Sequence, residues 1–298
     1  MTAQAPISLE RLNAARQEDF VAALGAIYEH SPWVAEVALA RRPFASLADL
    51  HECMSAAVTG ADHARQLALI NHHPDLAGKA ARAGSLTADS KAEQHGAGLD
   101  ALSEREFNEF QRLNDAYRRK FGFPFVICVL RHTKQSVLRQ LDLRGKNDTP
   151  TERANALKEV IRIAALRLDR RVTAQDRLKI HGRLSTHVLD TCHGRPAQGV
   201  SLELRELSEP GSGRLMTAAV TNADGRTDRA LISDRPVPIG SYELRFAVGD
   251  YFRRSGIVLP DPPFLDIVSV QFSIAEPEGH YHVPLLLTPW SYSTYRGS

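Results

Sequence analysis

Disulfide scaffolds, zinc ribbons and membrane spans all need material that this sequence holds little of. Its 298 residues include three cysteines. Cys53, Cys128 and Cys192 are an odd, scattered set with no CxxC pair, which excludes a disulfide framework and predicts reduced thiols. No stretch of about eighteen apolar residues occurs, so no membrane-spanning helix is expected. Met1 to Glu10 lacks the basic-then-apolar pattern of a secretory signal, and no Ser-Lys-Leu ending is present, so the cytoplasm is the expected compartment. Neither sign of charge dominates: 37 basic residues against 35 acidic ones leave +2. Arg167, Arg170 and Arg171 cluster, but no basic run forms a nucleic-acid stripe, and neither nucleic acid nor membrane is expected as a partner.

What the chain does hold is ample for two cores. Hydrophobic residues make up 43% and charged ones 24%, a globular balance at a length above one average domain. Up to about Arg171 the apolar spacing is helical. Phe20, Leu24, Ile27 and Tyr28 fall on one stripe, Ser46 opens a helix carrying Leu47, Leu50 and Met54 that Gly60 stops, and Ser103 with Glu106 forms a capping box ahead of Phe107, Phe110 and Tyr117. Beyond Arg171 the period drops to two. Val200, Leu202 and Leu204 alternate with polar residues, as do Tyr242, Leu244, Phe246 and Val248, then Val268, Val270, Phe272 and Ile274. Asn222-Ala223-Asp224-Gly225 and the prolines from Pro260 to Pro263 mark turns between them. The expectation is an all-α domain over 1–171, a linker at 172–177, and an all-β antiparallel sandwich over 178–298.

Two polar constellations stand out. In Asn71-His72-His73-Pro74-Asp75-Leu76 the proline ends a helix and leaves His73 non-helical. Downstream, Ser90 and Glu93 lie one turn apart on one helical face with Gln94 beside them. An imidazole, a carboxylate, an amide and a hydroxyl suit a polar heterocycle. Loss of carbon dioxide from such a ring leaves electrons that its own carbonyls absorb, so the protein need only place the substrate and move a proton. An arginine fork would match a carboxylate. No HExxH or similar spacing supports a metal.

The second constellation lies in the β half. Ser185 and His187 share a face of one strand, His280 and His282 share a face of another, and Pro284 suggests that the latter is a sheet edge or a strand end. Asp224-Gly225-Arg226 adds a guanidinium. Two imidazoles and an arginine can hydrolyse an activated cyclic amide without a metal, one taking a proton from water and another donor steadying the oxyanion.

His72-His73-Pro74-Asp75-Leu76, then Ser90-x-x-Glu93-Gln94, then Phe121-Gly122-Phe123-Pro124-Phe125-Val126-Ile127 resemble the 2-oxo-4-hydroxy-4-carboxy-5-ureidoimidazoline (OHCU) decarboxylases, across residues 8 to 171. That resemblance implies an all-α, cofactor-free enzyme with His73 as the acid/base, Glu93 as its partner and Arg167 on the last helix, Arg162 being the weaker match. Pro74, Ser90, Gln94 and the backbone of Phe125, Val126, Ile127, Cys128 and Val129 would bind the ring. The ending Tyr295-Arg296-Gly297-Ser298, with His187, Arg226 and His282, resembles the 5-hydroxyisourate hydrolases, the enzymatic branch of the transthyretin-like fold, over about 178 to 298. It implies those three residues as catalytic, Tyr295, Arg296 and Ser298 as substrate-binding, and a homotetramer with active sites between subunits, to which the decarboxylase domains could add dimer contacts. Together the two resemblances imply conversion of 5-hydroxyisourate through OHCU to (S)-allantoin, with no cofactor and no metal. A transthyretin-like ligand-binding module fused to a lone decarboxylase is the alternative, and the His187, Arg226, His282 and Tyr-Arg-Gly-Ser set argues against it.

Overall fold

Short polar side chains begin most of the helices. Ser8, Ser46, Asp62, Thr87, Ser103 and Asp148 each accept a hydrogen bond from a backbone N–H of the first turn, satisfying a donor that the helix leaves unpaired. In the computed structural model, which describes residues 5–77, 87–100, 102–209 and 212–297, the chain divides into two units. One comprises Met1–Leu130 and Ser136–Lys179, the other Ile180–Ser298 and the segment Arg131–Gln135.

The first unit is helical: α1 (Leu9–Ala14), α2 (Gln17–Leu24), α3 (Trp33–Leu39), α4 (Leu47–Thr59), α5 (His63–Asn71), α6 (Ala88–Gly96), α7 (Glu104–Phe121), α8 (Lys134–Arg144) from Ser136 onward and α9 (Thr149–Arg171), with short parallel strands β1 (Ile7–Ser8) and β2 (Val172–Thr173). The Ser103–Glu106 capping box forms at the start of α7, and Gly122, at φ +79°, ends that helix in the left-handed region. Gly60 caps α4 as expected. The stripe Phe20 to Tyr28 is not one helix, because α2 stops at Leu24 and Gly25 caps it. Glycine is a poor helix former, and a Cβ there would lie 2.7 Å from the Val21 carbonyl oxygen and 3.2 Å from the Pro32 side chain. Ile27 and Tyr28 are buried all the same, from a turn.

The second unit stacks two sheets. β3 (Gly182–Asp190), β4 (Arg195–Pro196), β7 (Ile232–Arg235), β10 (His280–Leu287) and β11 (Tyr292–Thr294) form one; β5 (Ser201–Glu209), β6 (Ser212–Val220), β8 (Gly240–Ala247) and β9 (Ile267–Ile274) form the other in the order β6-β5-β8-β9. Period-two alternation holds: Tyr242, Leu244 and Phe246 on β8 are fully inside beside Leu202 of the adjacent β5, with Leu184, Val188 and Leu285 on the other sheet across the core. Each such side chain contributes about 1.5–3 kcal/mol by leaving water.

Three expectations change here. Val248 does not extend β8 but opens a helix, α10 (Val248–Arg254). The sandwich is not purely antiparallel, since β3 and β10 run parallel. And Pro284 lies inside a sheet, flanked by β3 and β11. Its missing N–H is tolerated because the β10–β11 ladder runs only from Leu285 to Leu287, while the Pro284 carbonyl accepts from the Thr294 hydroxyl at 2.8 Å. Extending that register sets Tyr295 opposite the proline, and pairing resumes only at the His282–Gly297 bridge. Among the described residues no helix is long and apolar enough to cross a membrane.

Candidate active sites

The first site gathers residues from four separate stretches of the helical unit. α5 ends at Asn71 and His72 caps it, which turns His73 inward until only 7% of it is exposed. His73 Nδ1 lies 3.1 Å from the Leu69 carbonyl oxygen. A carbonyl only accepts, so Nδ1 carries the hydrogen and Nε2 keeps the lone pair. The buried face of α6 presents Ser90, Glu93 and Gln94, and α9 delivers Arg167, itself 4% exposed.

Arg167 donates from Nε and Nη2 to the two oxygens of Glu93, at 2.8 and 3.0 Å, from Nη2 to Ser90 Oγ at 3.3 Å, and from Nη1 to Glu29 at 2.6 Å. Glu29 also accepts from the hydroxyls of Thr87, at 2.6 Å, and Ser90, at 3.2 Å. Sequence reasoning missed Glu29. It sits in the turn after α2, off any periodic face and 138 positions from Arg167; the signal available was a carboxylate placed directly after the buried pair Ile27 and Tyr28. With its fork engaged in this way, Arg167 has at most one N–H left. Gripping a substrate carboxylate, the task its residue type suggested, requires exchanging Glu29 or Glu93 for the ligand.

Burial opposes every charge in this cluster, and partners decide the outcome. For Glu29 burial is outweighed by Arg167 and Thr87, and the carboxyl falls below its ordinary range. For Arg167 burial is outweighed by Glu93 and Glu29, and its pKa rises. For His73 burial wins over the pull of Glu29 and the Leu69 carbonyl, and its pKa drops to about 4. A neutral imidazole therefore faces an anchored ion network at physiological pH.

His73, Pro74, Ser90, Glu93, Gln94, Phe125, Val126, Ile127, Val129 and Arg167 line one pocket, closed further by Leu76 and Ile163. Gln94 accepts from the Ala77 N–H at 3.2 Å, which turns its own N–H groups elsewhere. Cys128 is not in the wall: it is buried, and its N–H donates to Glu159 at 2.9 Å. Arg162 pairs with Glu159 instead of joining Arg167. The Val126 carbonyl accepts from Arg144 at 3.0 Å, whereas the N–H and C=O of Ile127, 3% exposed, find no partner among the described residues. Buried peptide groups are nearly always paired, so these two point to a ligand.

The second site is built across β3 and β10. Their parallel register sets His282 opposite Ser185 and Pro284 opposite His187. The His187 and His282 rings are 6.5 Å apart between centroids. Ser185 Oγ lies 3.0 Å from His282 Nδ1 and 3.3 Å from His280 Nε2. Gly225, at φ +72°, turns the chain so tightly that a Cβ would lie 2.3 Å from the Val188 carbonyl oxygen. The turn then bridges Arg226 to His187.

Burial first, then Arg226, lowers the pKa of His187, against an opposing pull from Asp224. The His187 Nε2 is buried and has no partner among the described residues. His282 is lowered by burial and then by Arg226, His187, His280 and Arg183. Both rings are neutral bases with a cation beside them, able to take a proton from water while the guanidinium faces developing negative charge. The chain terminus closes on this pair: the Gly297 N–H donates to the His282 carbonyl at 2.9 Å, and a Cβ at Gly297 would lie 2.7 Å from the His282 ring. Tyr295 is exposed, and Arg296 stacks at 4.8 Å on Tyr281, whose side chain enters the core away from His282. Ser298 lies outside the described residues.

One further group of metal-ligand type converges among the described residues, Asp190, Cys192 and His193. The Asp190 carboxylate is already saturated, by the N–H groups of Cys192 and His193, by His193 Nδ1 at 2.6 Å and by the Tyr251 hydroxyl at 2.7 Å; it caps a turn.

Residues 13–169 match the family model described as OHCU decarboxylase, and residues 184–297 that of the HIUase/transthyretin family. A 5-hydroxyisourate hydrolase 2 of Rhizobium meliloti is 53% identical over 117 residues, 39% of this chain and 97% of the relative. A 2-oxo-4-hydroxy-4-carboxy-5-ureidoimidazoline decarboxylase of Haloferax volcanii is 41% identical over 169 residues, 57% of this chain and 98% of the relative. A solved structure of (S)-allantoin synthase superposes on 98% of this chain and 100% of its own length, with a TM-score of 0.51 and 35% identity.

Proposed function

Since the chain belongs to the OHCU decarboxylase family through its helical unit and to the HIUase/transthyretin family through its β unit, we propose that it runs two consecutive steps of urate degradation. The β unit hydrolyses 5-hydroxyisourate to OHCU, and the helical unit decarboxylates OHCU to (S)-allantoin. The observation that carries this reading is the pairing, in each unit, of a neutral imidazole with a nearby guanidinium: His73, its Nδ1 held by the Leu69 carbonyl, shares a pocket with Arg167, and His187 is bridged to Arg226.

In the first step a ring amide becomes the carboxylate of OHCU, so water must add to a carbonyl and the ring nitrogen must leave. His187 Nε2, uncharged and unpartnered, is placed to take the proton of that water. Arg226 supports the oxyanion, and His282, with Ser185 on its Nδ1, passes the proton that His187 has taken up on to the departing nitrogen.

In the second step carbon dioxide leaves, its bonding electrons pass through the ring to the imine nitrogen, which takes up a proton from solvent, the hydroxyl loses its proton to become a carbonyl, and one proton is returned to the carbon bearing the ureido group. His73 Nε2 can carry the hydroxyl proton to that carbon, while the proton taken up by the ring nitrogen offsets the charge of the lost carboxylate. The Ile127 peptide groups and Gln94 hold the ring so that a single face receives it. Glu29, Glu93 and Arg167 fix one another and the wall around His73.

In this reading the β unit assembles as a homotetramer in the cytoplasm. Two features support association: β9 and β11 each leave a sheet edge unpaired, and Trp290, Tyr292 and Tyr295 are exposed beside the terminus that covers His282. Urate oxidised in situ in the presence of the protein, followed by circular dichroism, tests the activity: a rapid rise to enantiopure (S)-allantoin is expected, and slow racemic product would contradict it.

A further inference from the structure

We propose that Arg144 and Glu159, which do not line the pocket, are positioning residues for decarboxylation, aiming the peptide groups of Ile127 at the substrate ring. The inference rests on the reading of that pocket as the decarboxylase site.

Arg144, the last residue of α8, is 8% exposed, and Glu152 in the first turn of α9 is fully buried. Glu152 accepts from Arg144 Nε at 2.8 Å, from the Tyr117 hydroxyl, and from Asn147 at 2.8 Å. Pinned in this way, Arg144 reaches the Val126 carbonyl at 3.0 Å and lies 4.5 Å over the Phe125 ring. Two residues on, Glu159 takes the Cys128 N–H at 2.9 Å and is itself held by Arg162.

A trans peptide points its N–H and C=O in opposite directions. With the Val126 carbonyl turned to Arg144, the Ile127 N–H of the same peptide faces the other way. With the Cys128 N–H turned to Glu159, so does the Ile127 carbonyl. Both are buried and unpaired among the described residues, and Ile127 lines the pocket. One residue therefore presents a donor and an acceptor side by side, the complement of a cyclic amide edge in which N–H adjoins C=O. The two charged side chains hold these groups in place because a charge-assisted bond is shorter and stronger than a neutral one.

The test is steady-state decarboxylation of OHCU, generated from urate by oxidase and excess hydrolase, by the full-length chain. Tyr117→Phe/Arg144→Met/Glu152→Leu replaces the buried network with apolar side chains, a change that is often tolerated. It should raise KM at least tenfold, with kcat within about threefold and the acid limb of the pH profile unmoved. A folded variant with unchanged KM overturns the proposal. Should that variant not fold, Glu159 decides: Glu159→Gln keeps an acceptor for the Cys128 N–H and should retain KM, whereas Glu159→Leu should raise it. Equal KM in the two overturns the proposal. Absence of decarboxylation by the unaltered protein would instead sink the reading of the pocket itself.

Discussion

Acidification should reach the helical unit through His73. This imidazole is buried at 7% exposure and has a pKa of about 4, against 6.5 for a solvated one. Burial is the cause, and Glu29 and the Leu69 carbonyl recover only part of the loss. Between pH 6.5 and 4 the unfolded chain binds a proton at this position that the folded chain refuses, so stability rises with pH through that window. The contribution is present above 6.5 and is lost as pH falls toward 4. At roughly 1.4 kcal/mol per pH unit the loss comes to about 3 kcal/mol. Urea unfolding at pH 7 and pH 4 of the unaltered protein and of His73→Asn, which cannot titrate but can still donate to Leu69, isolates this share. The unaltered protein should lose about 3 kcal/mol more than the variant over that interval. Decarboxylation should keep its activity to well below pH 6, with kcat/KM bending near pH 4. Equal losses in the two proteins, or an acid limb at 6.5, would refute the reasoning.

Glu29→Gln should destabilise the helical unit by about 3 kcal/mol, the lower end for breaking a buried ion pair because Glu93 keeps its two bonds to Arg167. It should also slow decarboxylation while hydrolysis continues, and normal decarboxylation would remove Glu29 from the site. Arg226→Gln removes a cation that lowers both His187 and His282. The acid limb of hydrolysis should therefore move to higher pH as the rate falls; a pH profile in its original place would show that Arg226 does not face the imidazoles. Gly297→Ala puts a methyl group where only 2.7 Å separates it from the His282 ring. Hydrolysis should drop roughly 10–100-fold, the effect of misplacing a reacting group by about 1 Å, with the melting temperature little changed; unaltered hydrolysis would mean that the terminus does not seat His282.

The legible part of the molecule was local. Ser46, Gly60, Ser103 and Glu106 set helix ends through bonds within a few residues of themselves, and alternation placed Tyr242, Leu244 and Phe246 inside because a strand cannot turn its side chains otherwise. His73, Ser90, Glu93 and Arg167 meet in one pocket as their motifs suggested. What escaped depends on distance along the chain. Glu29 carries no pattern until α9 brings Arg167 to it, and the Arg144–Glu152 pair looks like ordinary surface charge until both are buried. Val248 fits the strand period but begins a helix, since one apolar residue at the end of an alternating run satisfies either structure. The parallel pairing of β3 with β10 is a matter of topology that no local residue choice reports.

The central claim is that the two units carry separate sites and that these act in sequence. Mixing two single variants tests it most directly. His73→Asn should consume 5-hydroxyisourate at the normal rate and accumulate OHCU, and His282→Asn should leave hydrolysis near its spontaneous rate. Adding the second variant to the first should then restore enantiopure (S)-allantoin. Accumulation that the second variant cannot relieve, or prompt allantoin from His73→Asn alone, would contradict the account.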